Sequence, residues 1–155
     1  MPENNHKLQE EVSAVASDRH LPEDFTLVVL AGGASSRMGK EKSDLILDGQ
    51  TFLATQIRKG RQLGAKKILI SGYRGERCSE EIVPDRIPGQ GPLGGLESCF
   101  RKAETAKCLV LGVDTPLVPV EELRSLLKYT MEEADKPVTM LCHNGKEESL
   151  MAVYD

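Results

Sequence analysis

Phe25-Thr26-Leu27-Val28-Val29-Leu30-Ala31-Gly32-Gly33-Ala34-Ser35-Ser36-Arg37-Met38-Gly39-Lys40-Glu41-Lys42 is the stretch on which the fold turns. Its first six residues form a short, almost continuous apolar run, the pattern of a strand buried on both faces of a parallel sheet. A glycine-rich loop follows at once. Paired glycines let the backbone turn tightly and approach a ligand, and successive N–H groups in such a turn make an anion-binding concavity. Arg37, Lys40 and Lys42 add three positive charges, and Ser35 and Ser36 add hydroxyl donors. This equipment suits a triphosphate. The loop is neither G-x-x-x-x-G-K-[ST] nor G-x-G-x-x-G, which argues against a P-loop and against hydride transfer to a dinucleotide.

Downstream, strands and helices alternate. Thr51 to Leu63 reads as a helix with Phe52, Leu53 and Ile57 on one side and Gly64 as its stop. Lys67 to Ser71 (KILIS) and Cys108 to Val113 (CLVLGV) read as buried strands, and Glu81 to Val83 as a short one ended by Pro84. Pro92 to Ala103 reads as a helix opening on proline. Val120, Leu123, Leu127, Met131 and Ala134 hold helical register. Val138 to Cys142 and Leu150 to Tyr154 flank Asn144-Gly145, which suggests a hairpin. The alternation predicts a three-layer α/β fold with a doubly wound, mostly parallel sheet. In such sheets ligands bind beyond the carboxyl ends of the strands. The loops after Leu30, Ser71 and Val113 leave those ends.

Two further stretches are chemically dense. Asp85-Arg86-Ile87-Pro88-Gly89-Gln90-Gly91-Pro92-Leu93-Gly94-Gly95-Leu96 is a rigid loop that launches a helix, whose free N–H groups favour acceptors. Asp114, before Thr115-Pro116, is a carboxylate at the end of a buried strand and the best candidate for a metal ligand. Mg²⁺ is commonly held by one or two carboxylates plus phosphate oxygens and waters. An aspartate there equally suits a helix N-cap or a turn.

The string L-A-G-G-x-S-x-R-M-G-x-x-K resembles the signature of the Rossmann-like nucleotidyltransferases, and its Ala31-Gly32-Gly33 form is similar to the molybdenum cofactor guanylyltransferases. The Asp85–Leu96 element is similar to that family's D-x-x-P-G-x-G-P-L-x-G-L, and Gly112-Val113-Asp114-Thr115-Pro116 to its C-D-x-P. The resemblance implies that Leu30, Ala31, Gly32 and Gly33 contact the nucleotide, Arg37 and Lys42 the phosphates, and Asp85 the guanosine part. It places Ser71 where the family often has Asn, and Asp114 on Mg²⁺, with Arg37, Lys42 and Asp114 serving catalysis. Glu41 stands where Asp is usual. The implied reaction is GTP- and Mg²⁺-dependent guanylyl transfer to molybdopterin with loss of pyrophosphate. Cytidylyl or sugar-1-phosphate transfer, and a non-catalytic nucleotide-binding module, are the rival readings. Family members continue for several more elements, so C-terminal elements are expected to be missing after Asp155.

Composition narrows the classes. Of the 24 acids and 20 bases, Met1 to Asp24 holds six acids against Lys7 and Arg19, leaving 18 of each sign in the remainder. We therefore read residues 1–24 as an acidic extension, with Leu8, Val12, Val15 and Ala16 at helical spacing, and 25–155 as the nucleotidyltransferase domain. A neutral domain argues against a nucleic-acid partner. No run approaches the roughly 20 apolar residues of a membrane span, so a cytoplasmic protein without a membrane partner is expected. The cysteines show no C-x-x-C spacing; Cys108 and Cys142 lie in apolar runs, as small hydrophobes do. His6, His20 and His143 are scattered, and no general base is evident.

Overall fold

A computed structural model describes residues 24–32 and 41–155. The acidic extension up to residue 23 lies outside the described residues, as do Gly33 and Arg37. In chain order the elements are β1 (Phe25–Leu30), β2 (Ile46–Leu47), β3 (Gln50–Thr51), α1 (Phe52–Gln62), β4 (Lys67–Ser71), β5 (Glu81–Val83), α2 (Gly91–Lys102), β6 (Lys107–Gly112), α3 (Val120–Glu132), β7 (Val138–His143) and β8 (Lys146–Tyr154).

Six strands form one sheet in the order β5-β4-β1-β6-β8-β7. β1 runs parallel to both β4 and β6, and β4 parallel to β5. Only β8 is reversed, antiparallel to β6 and to β7. Alternate residues of β1 point to opposite layers, the period-two consequence of a strand. Phe25, Leu27 and Val29 join Leu53, Ile57, Leu123 and Leu127 of α1 and α3. Val28 and Leu30 join Leu96 and Cys99 of α2. All six residues of β1 are buried, as its apolar run predicts.

Local chemistry sets the element ends. Thr51 caps α1, its Oγ1 accepting from the Ala54 N–H at 3.1 Å. Proline opens α2. Asn144 (φ 51°) and Gly145 (φ 75°) occupy the left-handed region in the turn between β7 and β8, the backbone that a two-residue hairpin needs. The expected hairpin is present, with β8 starting at Lys146 rather than Leu150 and a register shift at Met140/Leu141. Asp48-Gly49 (φ 50° and 78°) makes a second, small hairpin of β2 and β3, which the sequence reading passed over. Cys142 departs from expectation. It is exposed while Cys108 is buried, because Cys142 lies past the register shift on the edge strand β7. Among the described residues no helix is long and apolar enough to cross a membrane.

Gly60 brings α1 close to the sheet: a Cβ there would overlap Leu27 Cδ2 inside the core. Gly60→Val should therefore destabilise the domain by about 2 kcal/mol through overpacking, despite removing a helix glycine. Urea unfolding measures this, and a neutral result would show that the α1–β1 contact can yield.

Candidate functional site

Register decides what meets at the carboxyl edge. Leu30 is level with Ser71 on one side and with Gly112 on the other, so three loops leave the sheet at one height. They are stitched together at once. The Ser71 carbonyl accepts from the N–H groups of Ala31 (2.9 Å) and Gly32 (3.0 Å), and the Leu30 carbonyl accepts from Val113 N–H (3.0 Å). Gly32 and Gly72 then cross backbone to backbone: a Cβ on Gly72 would lie 2.8 Å from Gly32 Cα, and Gly72 has φ 69°. Leu30 and Ala31 are buried and Gly32 is exposed. The N–H groups of Ala31 and Gly32 are thus already engaged. Of these three residues only Gly32 is exposed, so the floor this corner offers is glycine backbone.

Lys42 opens a short 3-10 turn, Lys42–Asp44, held by buried Ser43, whose Oγ donates to the Ala31 carbonyl at 3.3 Å. Tyr73 Oη donates to Asp44 Oδ1 at 3.2 Å, tying this turn to the loop after β4. Lys42 Nζ stands 3.7 Å from Asp114 Oδ2, and both side chains are about half exposed (53% and 52%). Helix α3 begins at Val120 with Pro119 at its cap, so Asp114 caps no helix. Its carboxylate folds back over Gly112, where a Cβ would lie 2.8 Å from Asp114 Oδ1. Among the described residues no three His, Cys, Asp or Glu side chains gather as a metal cluster. A lone, accessible carboxylate beside a lysine fits a cation that takes its remaining ligands from phosphates and water.

A second cluster sits beyond β4 and β5. A Cβ on Gly95 would overlap Ser71 Oγ and lie 3.4 Å from Asp85 Oδ1, so the absent side chain of Gly95 leaves room for both groups. Asp85 Oδ1 is buried and has no hydrogen-bond partner among the described residues. Buried acceptors are normally satisfied, so this oxygen is poised for a donor from outside. Ser98 Oγ holds the neighbouring backbone, accepting from Arg86 N–H at 3.0 Å and donating to the Gly94 carbonyl at 2.9 Å. The Asp85 and Asp114 loops leave β5 and β6, three strand spacings or about 14 Å apart.

The structure therefore brings together Leu30, Ala31, Gly32, Lys42, Ser71, Asp85 and Asp114 along one edge. Sequence reasoning missed Gln56 and Lys59, two polar residues on the buried face of α1. Their spacing of three places them on one side of the helix, which is the signal that could have found them. Burial and nearby Arg58 push the Lys59 ammonium down from 10.5 to about 8.

These features define a doubly wound α/β domain with polar and charged residues gathered along the carboxyl edge of its sheet. The chain belongs to the MobA-like NTP transferase domain family, whose profile matches residues 27–155. It is 34% identical over 133 residues to a "Probable molybdenum cofactor guanylyltransferase" of Carboxydothermus hydrogenoformans, covering 85% of this chain and 66% of that protein. It is 42% identical over 108 residues to the "Molybdenum cofactor guanylyltransferase" of Xanthomonas euvesicatoria, covering 69% and 56%. The crystal structure of molybdopterin-guanine dinucleotide biosynthesis protein A from Archaeoglobus fulgidus superposes with TM-score 0.64 at 25% identity, covering 83% of this chain and 66% of that one. The chain thus spans less than two thirds of the length of these relatives.

Two outcomes follow from the geometry. Gly72→Ala meets both a left-handed φ and backbone atoms of Gly32, so it should cost about 2 kcal/mol or more. Thermal unfolding checks this; an unchanged Tm would mean that the glycine crossing is slack. For Lys59 the folded-state value lies below the unfolded one, so between pH 8 and 10.5 the unfolded chain binds more protons. Its contribution makes unfolding costlier as pH rises through that window. Comparing the pH dependence of urea unfolding in wild type and Lys59→Met should show that increment only in wild type.

Proposed function

We propose that this domain binds GTP across the carboxyl edge of its sheet and, with Mg²⁺, transfers the guanylyl group to a molybdopterin-type acceptor, releasing pyrophosphate. The observation that carries the reading is the buried Asp85 Oδ1, unpartnered among the described residues and beside Ser71 Oγ, on the same sheet edge as the Lys42–Asp114 pair. A carboxylate accepts only. Guanine offers two adjacent donors on one edge, N1–H and the 2-amino group. Cytosine offers its 4-amino group beside an acceptor, which would face the carboxylate unfavourably. The base then lies over β4 and β5, the ribose over the Leu30–Gly32 floor, and the phosphates reach β6.

Lys42 supplies a positive charge at the phosphate end, joined on this reading by Arg37. Asp114 is the residue that would hold Mg²⁺, which when bound neutralises charge on the phosphates during transfer. Phosphoryl chemistry of this kind depends mainly on positioning and electrostatics, and an acceptor that is already a phosphate requires no strong base. That suits a site whose described residues include no histidine. The family membership and the names of the relatives support the guanylyl assignment.

GTP–Mg²⁺ at 100 times its Kd should stabilise the protein by about 2.7 kcal/mol over the ligand-free state, and CTP–Mg²⁺ at the same concentration by less. A larger thermal shift with CTP would remove the guanylyl assignment. Asp85→Asn should lower GTP affinity by about tenfold or more, the loss of a charged hydrogen-bond acceptor, while CTP binding changes little. Equal loss for both nucleotides would place the base elsewhere.

A further inference from the structure

Lys59 is a cation only 5% exposed on the inner face of α1, and no carboxylate among the described residues pairs with it. Gln56, one turn earlier, is fully buried. Neither has a part in the nucleotide contacts above. Burying an unpaired charge is unfavourable, and methionine would fill similar space without that penalty. Stability therefore does not account for the lysine, and its partners must.

Both side chains reach the same loop. Gln56 Nε2 donates to the carbonyls of Gly112 (2.8 Å) and Thr115 (3.1 Å), and Lys59 Nζ donates to the carbonyl of Pro116 (2.7 Å). Asp114 is framed by these three contacts. Val113 N–H on the Leu30 carbonyl, at 3.0 Å, anchors the start of the loop. Its own backbone bonds, Thr115 N–H to Gly112 O and Val118 N–H to Thr115 O, are long at 3.4 Å. Thr115 Oγ1 adds one bond to Gly112 O at 3.0 Å. The orientation of the Gln56 amide is fixed by its surroundings, since turning it over would set its oxygen against carbonyl oxygens. The turned-in Oε1 has no partner among the described residues.

We infer that Gln56 and Lys59 are positioning residues that pin the Gly112–Pro116 loop and thereby aim the Asp114 carboxylate at the metal–phosphate end of the site. Asp114 itself is half exposed, its carboxylate folded over Gly112 and 3.7 Å from Lys42 Nζ. The inference rests on the reading of Asp114 as the metal ligand, and its test separates the two.

Six proteins are compared: wild type, Lys59→Met, Lys59→Arg, Gln56→Leu, Asp114→Asn and the Lys59→Met/Asp114→Asn double variant. Amide hydrogen exchange without nucleotide or metal comes first. Exchange at 113–118 should quicken in Lys59→Met and Gln56→Leu while β1 and β6 keep their protection. Mn²⁺ is then titrated into each GTP-loaded protein. Loss of a supporting contact typically weakens metal binding by about tenfold, and that is expected in both α1 variants with metal-free GTP affinity unchanged. Asp114→Asn should be weaker still, and the double variant no weaker than Asp114→Asn alone, because Lys59 acts through Asp114. Lys59→Arg, which keeps a charged donor, should recover part of the loss. Wild-type Mn²⁺ affinity in both α1 variants beside a weakened Asp114→Asn overturns the inference, as does an additive loss in the double variant. Wild-type affinity in Asp114→Asn instead removes the metal reading, and exchange at 113–118 then decides the α1 contacts by themselves.

Discussion

The parallel pairing of β1 with both β4 and β6 is the constraint from which the site follows. Because Leu30 is level with Ser71 and with Gly112, the chain must leave three neighbouring strands at one height, and the loops compete for the same small volume. Glycine resolves that competition where Gly32 and Gly72 cross. A one-residue slip of β1 would exchange its two buried faces, moving Leu27 and Val29 from α1 and α3 to the side of α2. The apolar run thus fixes the crevice as firmly as it fixes the core.

With the edge set, charge is distributed along it by depth. Lys42 and Asp114 are half exposed and only 3.7 Å apart, so each retains access to water and to a polyanion. Such a surface pair adds little to stability, which leaves its geometry free to serve a ligand. Asp85 Oδ1 is the opposite case, a buried acceptor without a hydrogen-bond partner among the described residues. An unmade bond of that sort is expensive in a protein that binds nothing there. Ser43, Ser98 and Gln56 supply fixed contacts along this edge, each side chain bonded to backbone, and Gln56 also to Thr115 Oγ1.

Legibility in the sequence followed the range of the interaction. The runs FTLVVL, KILIS and CLVLGV announced buried strands because burial on both faces leaves no polar alternation to misread. Asp114 was legible as a candidate because it stands directly beyond such a run, and Lys42 because it closes the charged glycine-rich loop that follows another. The β2–β3 turn was legible and was missed, since Asp48-Gly49 is a strong hairpin dipeptide. By contrast, the insertion of β8 between β6 and β7 depends on pairing across distant residues such as Leu109 and Val153, which no local pattern announces. Gln56 and Lys59 were hidden for a related reason. Polar residues on a helix ordinarily face water, and only the packing of α1 against the Gly112–Pro116 loop makes these two interior. Cys142 read as core because the register shift that sends it outward lies in the ladder, not in the composition of its run.

The account's central claim is that one nucleotide lies across the carboxyl edge, base toward Asp85 and phosphates toward Asp114. A crystal structure of the protein with a non-hydrolysable GTP analogue and Mg²⁺ tests it most directly. The account predicts the guanine edge within hydrogen-bond distance of Asp85 Oδ1, the ribose over Leu30–Gly32, and the metal on Asp114 with phosphate oxygens completing its shell. A base bound over β6, or a metal held away from Asp114, would contradict it.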